Sequence, residues 1–204
     1  ACWGVDHGNS FALAFSGRID RVDLWRPPGS EDALCVVVDY KSSHKHLDAI
    51  LLANGLQLQL LTYLNVQRRW PDSNGPFGAA RLIPAGVFYV NLRGKYKREP
   101  NRLEVLNSVA EARKLAYRHA GRFDARALPH LDARGVPNGD QFNYRLTRHG
   151  RITANSREAV NSTEFKALLD SIEMHLVEMG RKAFSGVAMV APYVFATSID
   201  MAGG

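Results

Sequence analysis

Cysteine is scarce in this chain: Cys2 and Cys35 are the only two. One widely spaced pair makes no disulfide framework. Without C-x-x-C spacing, the common zinc and thiol-redox sites are excluded as well. Reduced thiols in a cytoplasm are the expected state. No apolar run approaches the roughly 18–20 residues that a membrane span needs, and no basic-then-apolar leader opens the chain. Neither a membrane partner nor secretion is therefore expected. Internal repeats and low-complexity tracts are missing too. Acidic residues are the minority charge, with 20 Asp and Glu against 26 Lys and Arg, a net charge of +6 and a pI near 9.5. That balance favours an anionic partner, nucleic acid first, although a basic surface with no such role has the same charge.

What remains is ordinary globular material. The 204 residues are 46% hydrophobic and 23% charged, enough for one domain with a core. The chain opens on Ala1, close to a strand-like segment, and is expected to be a piece of a longer polypeptide. Residues 1–204 read as one domain. Phe11, Leu13 and Phe15 alternate as in a strand, and Gly17 to Trp25 continues the pattern up to the turn at Pro27-Pro28-Gly29. Leu34 to Val38 is a continuous apolar run, the signature of a strand buried on both faces. Leu47 to Val66 reads as helix, bent or divided at Gly55. Pro71 to Pro76 reads as a loop, Ala85 to Leu92 as a strand, and Leu103 to His119 as a helix. Gly121 to Asp140 reads as irregular, and Phe142 to Leu146 as a short strand. Asn161 to Ser185 is the clearest helix, with a capping box between Asn161 and Glu164 and a stop at Gly186. Strands followed by helix, strand and helices imply an α/β fold with a central mixed sheet flanked by helices.

Three segments carry chemistry. In Val38-Asp39-Tyr40-Lys41-Ser42-Ser43, buried valines give way abruptly to polar residues. Side chains two apart on a strand share a face, so Asp39 and Lys41 project together. A carboxylate is a hard ligand for Mg²⁺, and a neighbouring ammonium can stabilise developing charge or assist an attacking water. In Gly17-Arg18-Ile19-Asp20, antiparallel pairing with the valine strand brings Asp20 beside Asp39, and two carboxylates make a better metal site than one. Asp23 faces the other way. In Gln57 to Tyr63, Gln59 and Tyr63 sit at i and i+4 on one helix face, suited to orienting the lysine or touching a DNA backbone. Taken singly, these are equally a structural ion pair, a turn carboxylate and plain helix surface.

Taken together, "GRID", "VVDYKSS" and "QLQLLTY" resemble the RecB-type branch of the PD-(D/E)XK nucleases, and most of all its AddB-type nuclease domains of helicase–nuclease complexes. The resemblance implies a restriction-endonuclease-like core. It implies Asp20, Asp39 and the Tyr40 carbonyl as metal ligands, Lys41 as catalytic lysine, and Gln59 and Tyr63 as the Q-x-x-x-Y pair. Weaker similarity runs through Gly86 to Val90 and resumes from the last helix to Pro192. The function it implies is exonuclease-type hydrolysis of DNA in repair and recombination. The metal would be magnesium, or manganese in its place, and the partner a helicase subunit or a helicase domain of the same polypeptide.

Two departures qualify the match. Such nucleases usually add an acidic or histidine ligand from an upstream helix, for which Asp6 and His7 are the available stand-ins. Many AddB-type domains also hold an iron–sulfur cluster through an upstream cysteine and three more after the final proline. No cysteine follows Pro192 here, and about four thiolates are needed, so no cluster is expected from this chain. The alternative function is a catalytically incomplete DNA-binding or scaffolding domain of such a complex. A weaker third option is a stand-alone RecB-like nuclease of a mobile element or CRISPR adaptation system. Arg93, Lys95, Lys97, Arg98 and Arg102 are read as phosphate contacts, with Tyr96 stacking on a base. A solvated basic loop has the same composition. His44 and His46 read as exposed loop residues.

Overall fold

The computed structural model of the chain describes residues 2–6, 12–70, 74–92, 101–104, 106, 109, 110, 113 and 117–187, with 2–6 and 12 described as backbone only. Two strands, β1 (Cys2–Asp6) and β2 (Ala12–Ser16), pair antiparallel as a separate hairpin. The main sheet has five strands in the order β3 (Arg21–Trp25), β4 (Ala33–Lys41), β5 (Leu82–Asn91), β6 (His119–Asp124) and β7 (Ala159–Val160). β3 runs antiparallel to β4, β4 parallel to β5, β5 antiparallel to β6, and β6 parallel to β7. The sheet is thus mixed, as the pattern of elements implies.

β4 lies inside the sheet, between β3 and β5, with apolar side chains on both faces. Cys35 and Val37 point into one core and Val36 and Val38 into the other. The first face is covered by α1 (Ala49–Ala53), α2 (Gln59–Arg68) and the long α5 (Ser162–Phe184). Leu60, Leu61 and Leu64 of α2 are fully buried there, each contributing about 1.5–3 kcal/mol of transfer free energy. α5 clasps α2 through Arg68 on Asp170, Arg69 on Glu173, and the buried Asn65 amide donating to the Leu169 carbonyl at 2.8 Å. Its N-terminus is capped as expected, with the Asn161 side chain accepting the Glu164 N–H at 2.9 Å. β2 rests on the same helix, Leu13 lying against the bare backbone of Gly180. A single helical turn, α3 (Asn74–Phe77), precedes β5. The second face is covered mostly by irregular chain from 125 to 158, which contributes a 3-10 turn at Ala125–Ala127, the short α4 (Leu128–Leu131), and the side chains of Phe142 and Tyr144.

Several expectations are corrected. Gly121 falls in the stretch read as irregular, yet it lies inside strand β6. A Cβ there would run into the Val87 carbonyl, so the glycine marks a close approach of two strands rather than a turn. His119, read as the end of a helix, begins that strand. Of the rest of Leu103–His119 only scattered residues are described; 103, 104, 106, 109, 110 and 113 are helical as expected, and 117 and 118 are not. The segment 47–66 divides into α1 and α2, because Gly55 and Gln57 both adopt positive φ, at 72° and 56°. Gly17 to Asp20 is not strand: the ladder starts at Arg21. Phe142–Leu146 forms only isolated bridges, Arg145 with Asn138 and Leu146 with Ile152. The stretch read as a loop at Pro71–Pro76 ends in α3, and its first three residues lie outside the described set.

Candidate active site

The site forms where the apolar part of β4 ends. Alternation keeps Asp39 and Lys41 on the helix-covered face with Cys35 and Val37. Their side chains meet: Lys41 Nζ lies 2.7 Å from Asp39 Oδ2. Asp39 is only 5% exposed. The approach is a charge contact without the angle of a hydrogen bond, so this buried oxygen accepts no aligned hydrogen bond from the described groups. Both features hold together: the pair is an ion pair by distance, and the oxygen still has acceptor capacity.

Asp20 sits just before β3. Arg21 pairs with Val38, so Asp20 stands just beyond the end of this antiparallel ladder. The Asp20 carboxylate itself closes the ladder, Oδ2 accepting the Tyr40 N–H at 3.0 Å. The Tyr40 side chain points to the other face, where its hydroxyl accepts from Arg21 at 3.2 Å. Asp23 pairs opposite Val36 on that other face and accepts from Arg21 at 2.7 Å, away from Asp39.

Gln59 and Tyr63 stack one turn apart on α2, the Gln59 amide donating to the Tyr63 hydroxyl at 2.9 Å. Tyr63 also packs on Gly17, where an added Cβ would stand 3.3 Å from its ring. Gly17, the first residue of "GRID", thus leaves room for the aromatic ring of "QLQLLTY", which connects the two motifs physically.

One neighbour escaped the sequence reading. Tyr89 of β5 lies level with Asp39 in the parallel ladder, and its ring centroid is 5.8 Å from Lys41 Nζ. This ring offers the ammonium a cation–π contact worth about 0.5–2 kcal/mol. Burial, and secondarily the Asp39 charge, push the Tyr89 phenol above its usual range, so it stays neutral. The strand was readable, but the register that puts Tyr89 beside Asp39 joins residues far apart in sequence and has no local signal.

The connection after Lys41 is anchored at its far end. Leu47 is buried, its carbonyl accepts from the half-buried Arg122 at 3.2 Å, and Asp48 caps α1 through Ile50 N–H. His44 and His46 are exposed on this connection, and His46 Nε2 is 3.9 Å from Asp48 Oδ2. Arg93, Lys95, Tyr96, Lys97 and Arg98 lie outside the described residues, as do His7 and the Asp6 side chain. Arg102 is exposed.

The donor set suits a hard divalent cation. Asp39 carries a buried oxygen with unused acceptor capacity, the Asp20 carboxylate lies against the backbone of the next residue, Tyr40, and oxygen donors of this kind suit Mg²⁺ or Mn²⁺. Among the described residues no group of three or more His, Cys, Asp or Glu side chains gathers at one point. Cys35 is no thiolate ligand: it is buried under α2, and desolvation raises its thiol pKa to about 12. No described helix is long and apolar enough to cross a membrane.

Comparison with known proteins gives concordant matches. A family model described as the PD-(D/E)XK nuclease superfamily matches residues 2–193. A subunit of an ATP-dependent helicase/deoxyribonuclease from Geobacillus thermodenitrificans is 32% identical over 185 residues, covering 87% of this chain and 15% of that protein. The protein of the same name from Geobacillus kaustophilus is 31% identical over 186 residues, with the same coverage. That of Desulforamulus reducens is 25% identical over 190 residues, 93% of this chain and 16% of the relative. The chain therefore spans about 15% of the length of the curated relatives it matches.

Proposed function

The chain belongs to the PD-(D/E)XK nuclease superfamily, and from that premise we propose that it is the nuclease module of a helicase–nuclease, hydrolysing DNA phosphodiesters with magnesium. The observation that carries this reading is the buried Asp39 oxygen beside the Lys41 ammonium, with the Asp20 carboxylate closing the same strand end. Similarity to relatives named as parts of a helicase/deoxyribonuclease supports DNA as substrate and a helicase as partner. A cytoplasmic location follows from that role.

In this reading Asp20, Asp39 and the Tyr40 carbonyl hold the metal, with Mn²⁺ able to replace Mg²⁺. A divalent ion held there would supply Lewis acidity to a phosphate and to an attacking water. The protein side chains do the positioning. Asp39 is held rigidly by the buried strand beneath it. Lys41 stands beside that carboxylate, where its charge opposes the negative charge building on phosphate oxygens. Tyr89 confines the ammonium from below, and Gln59 and Tyr63 wall the approach from α2. The basic run at Arg93, Lys95, Tyr96, Lys97 and Arg98 adds sequence-blind affinity for the DNA backbone.

Calorimetry tests the metal assignment. Wild-type protein is expected to bind Mn²⁺ or Mg²⁺, with binding lost in Asp39→Asn. Equal metal binding by the two proteins would overturn it. DNA binding that is salt-sensitive, in a folded protein that never cuts, would favour the alternative of a scaffolding domain.

A further inference from the structure

Beside the segment that carries Asp20 lies an apolar cleft of about 320 Å³. Phe15, Ile19, Leu58, Val66, Leu176 and Met179 form its walls, and Gln59 and Tyr63 form its polar edge. It reaches the segment that carries Asp20. Ile19 lines the cleft, and the next residue is Asp20, whose carboxylate holds the Tyr40 N–H. Gly17 lies in the same wall, beneath the Tyr63 ring.

We propose that this cleft receives one unstacked nucleobase of the DNA strand whose backbone lies at Asp20 and Asp39. The inference rests on the nuclease reading above and deepens it by specifying the form of the substrate. Three features carry it. The volume is at the small end for ligand pockets, about 300–1,000 Å³, which suits one planar ring system and not a stacked duplex. The lining matches a base, whose faces are apolar π-surfaces and whose edge hydrogen-bonds: aromatic and aliphatic walls meet the faces, and the Gln59 amide, with both donor and acceptor capacity, meets the edge. The mouth is adaptable, since Met179 is 54% exposed there and its unbranched thioether accommodates different ring shapes. A base can enter only if it has left its stack. The cleft therefore selects single strands and frayed ends over intact duplex.

The test uses the full chain in Ca²⁺ and single-stranded oligonucleotides carrying 2-aminopurine at successive positions, a probe that brightens when unstacked. One position is expected to brighten on binding. An abasic nucleotide at that position is expected to weaken binding about five- to hundredfold, the range for one stacked base, and elsewhere to have little effect. Met179→Asn, a change at an exposed rim position, is expected to abolish the position-specific signal. Uniform brightening, uniform abasic effects, or a signal untouched by Met179→Asn would each overturn the proposal. Metal-dependent cutting by wild type without any position-specific signal would overturn the cleft assignment and leave the nuclease reading standing. The signal without cutting would do the reverse.

Discussion

The Asp20 carboxylate accepts the Tyr40 backbone N–H at 3.0 Å, tying the segment before β3 to the end of β4 through a residue also proposed as a metal ligand. The two roles separate by substitution. Asp20→Asn keeps an oxygen acceptor and is expected to melt within a degree or two of wild type while losing metal affinity. Asp20→Ala loses the acceptor too, at about 0.5–1.5 kcal/mol, or a few degrees in Tm for a chain of this size. Calorimetric melting with and without Mn²⁺ checks both. An Asp20→Asn protein stabilised by Mn²⁺ as strongly as wild type would remove Asp20 from the metal site.

Gly17 and Tyr63 give a second prediction. In Gly17→Ala the new Cβ would stand 3.3 Å from the Tyr63 ring, so the ring must shift by a few tenths of an ångström. Misplacement of positioning groups by about 1 Å costs about a hundredfold in rate, so a loss of about tenfold in DNA cleavage is expected, with circular dichroism unchanged. Tyr63→Phe in the same background relieves no clash and should not restore the rate. Full activity in Gly17→Ala would show that the contact has no catalytic consequence.

Cys35 gives the pH-dependent prediction. Burial raises its thiol pKa to about 12, above the value of an exposed thiol. The neutral thiol is the form the fold accepts. Its contribution to stability is therefore complete below the unfolded pKa, near 8.5, and is lost as pH rises from there towards 12. In a Cys2→Ser background, Cys35 is expected to resist iodoacetamide at pH 8 while folded and to react once denatured. Rapid labelling of the folded protein would contradict its burial.

Some elements were legible because their signals are local. The run Leu34 to Val38 followed by Asp-Tyr-Lys identifies a buried strand with a chemical end, and period-two alternation assigns Asp39 and Lys41 to one face. The Asn161 cap and the apolar spacing of 165–176 mark α5 in the same way. β6 was not legible: its glycine is demanded by the approach of β5, a tertiary fact. The partners of the site residues were equally hidden. Tyr89 reaches Asp39 through a parallel register, and Arg122 reaches the Leu47 carbonyl across the sheet face, and neither pairing has a sequence period of its own.

The most direct test is cleavage of linear single- and double-stranded DNA by wild type and Lys41→Ala, in Mg²⁺, in Mn²⁺ and in EDTA. The expected result is cutting by wild type in either metal and none in EDTA. Lys41→Ala, folded and still binding DNA, should be slower by about a hundredfold or more, the scale for loss of one positioned charge or proton-transfer group. Cutting that survives EDTA, or a Lys41→Ala rate equal to wild type, would contradict a metal-dependent centre at the end of β4.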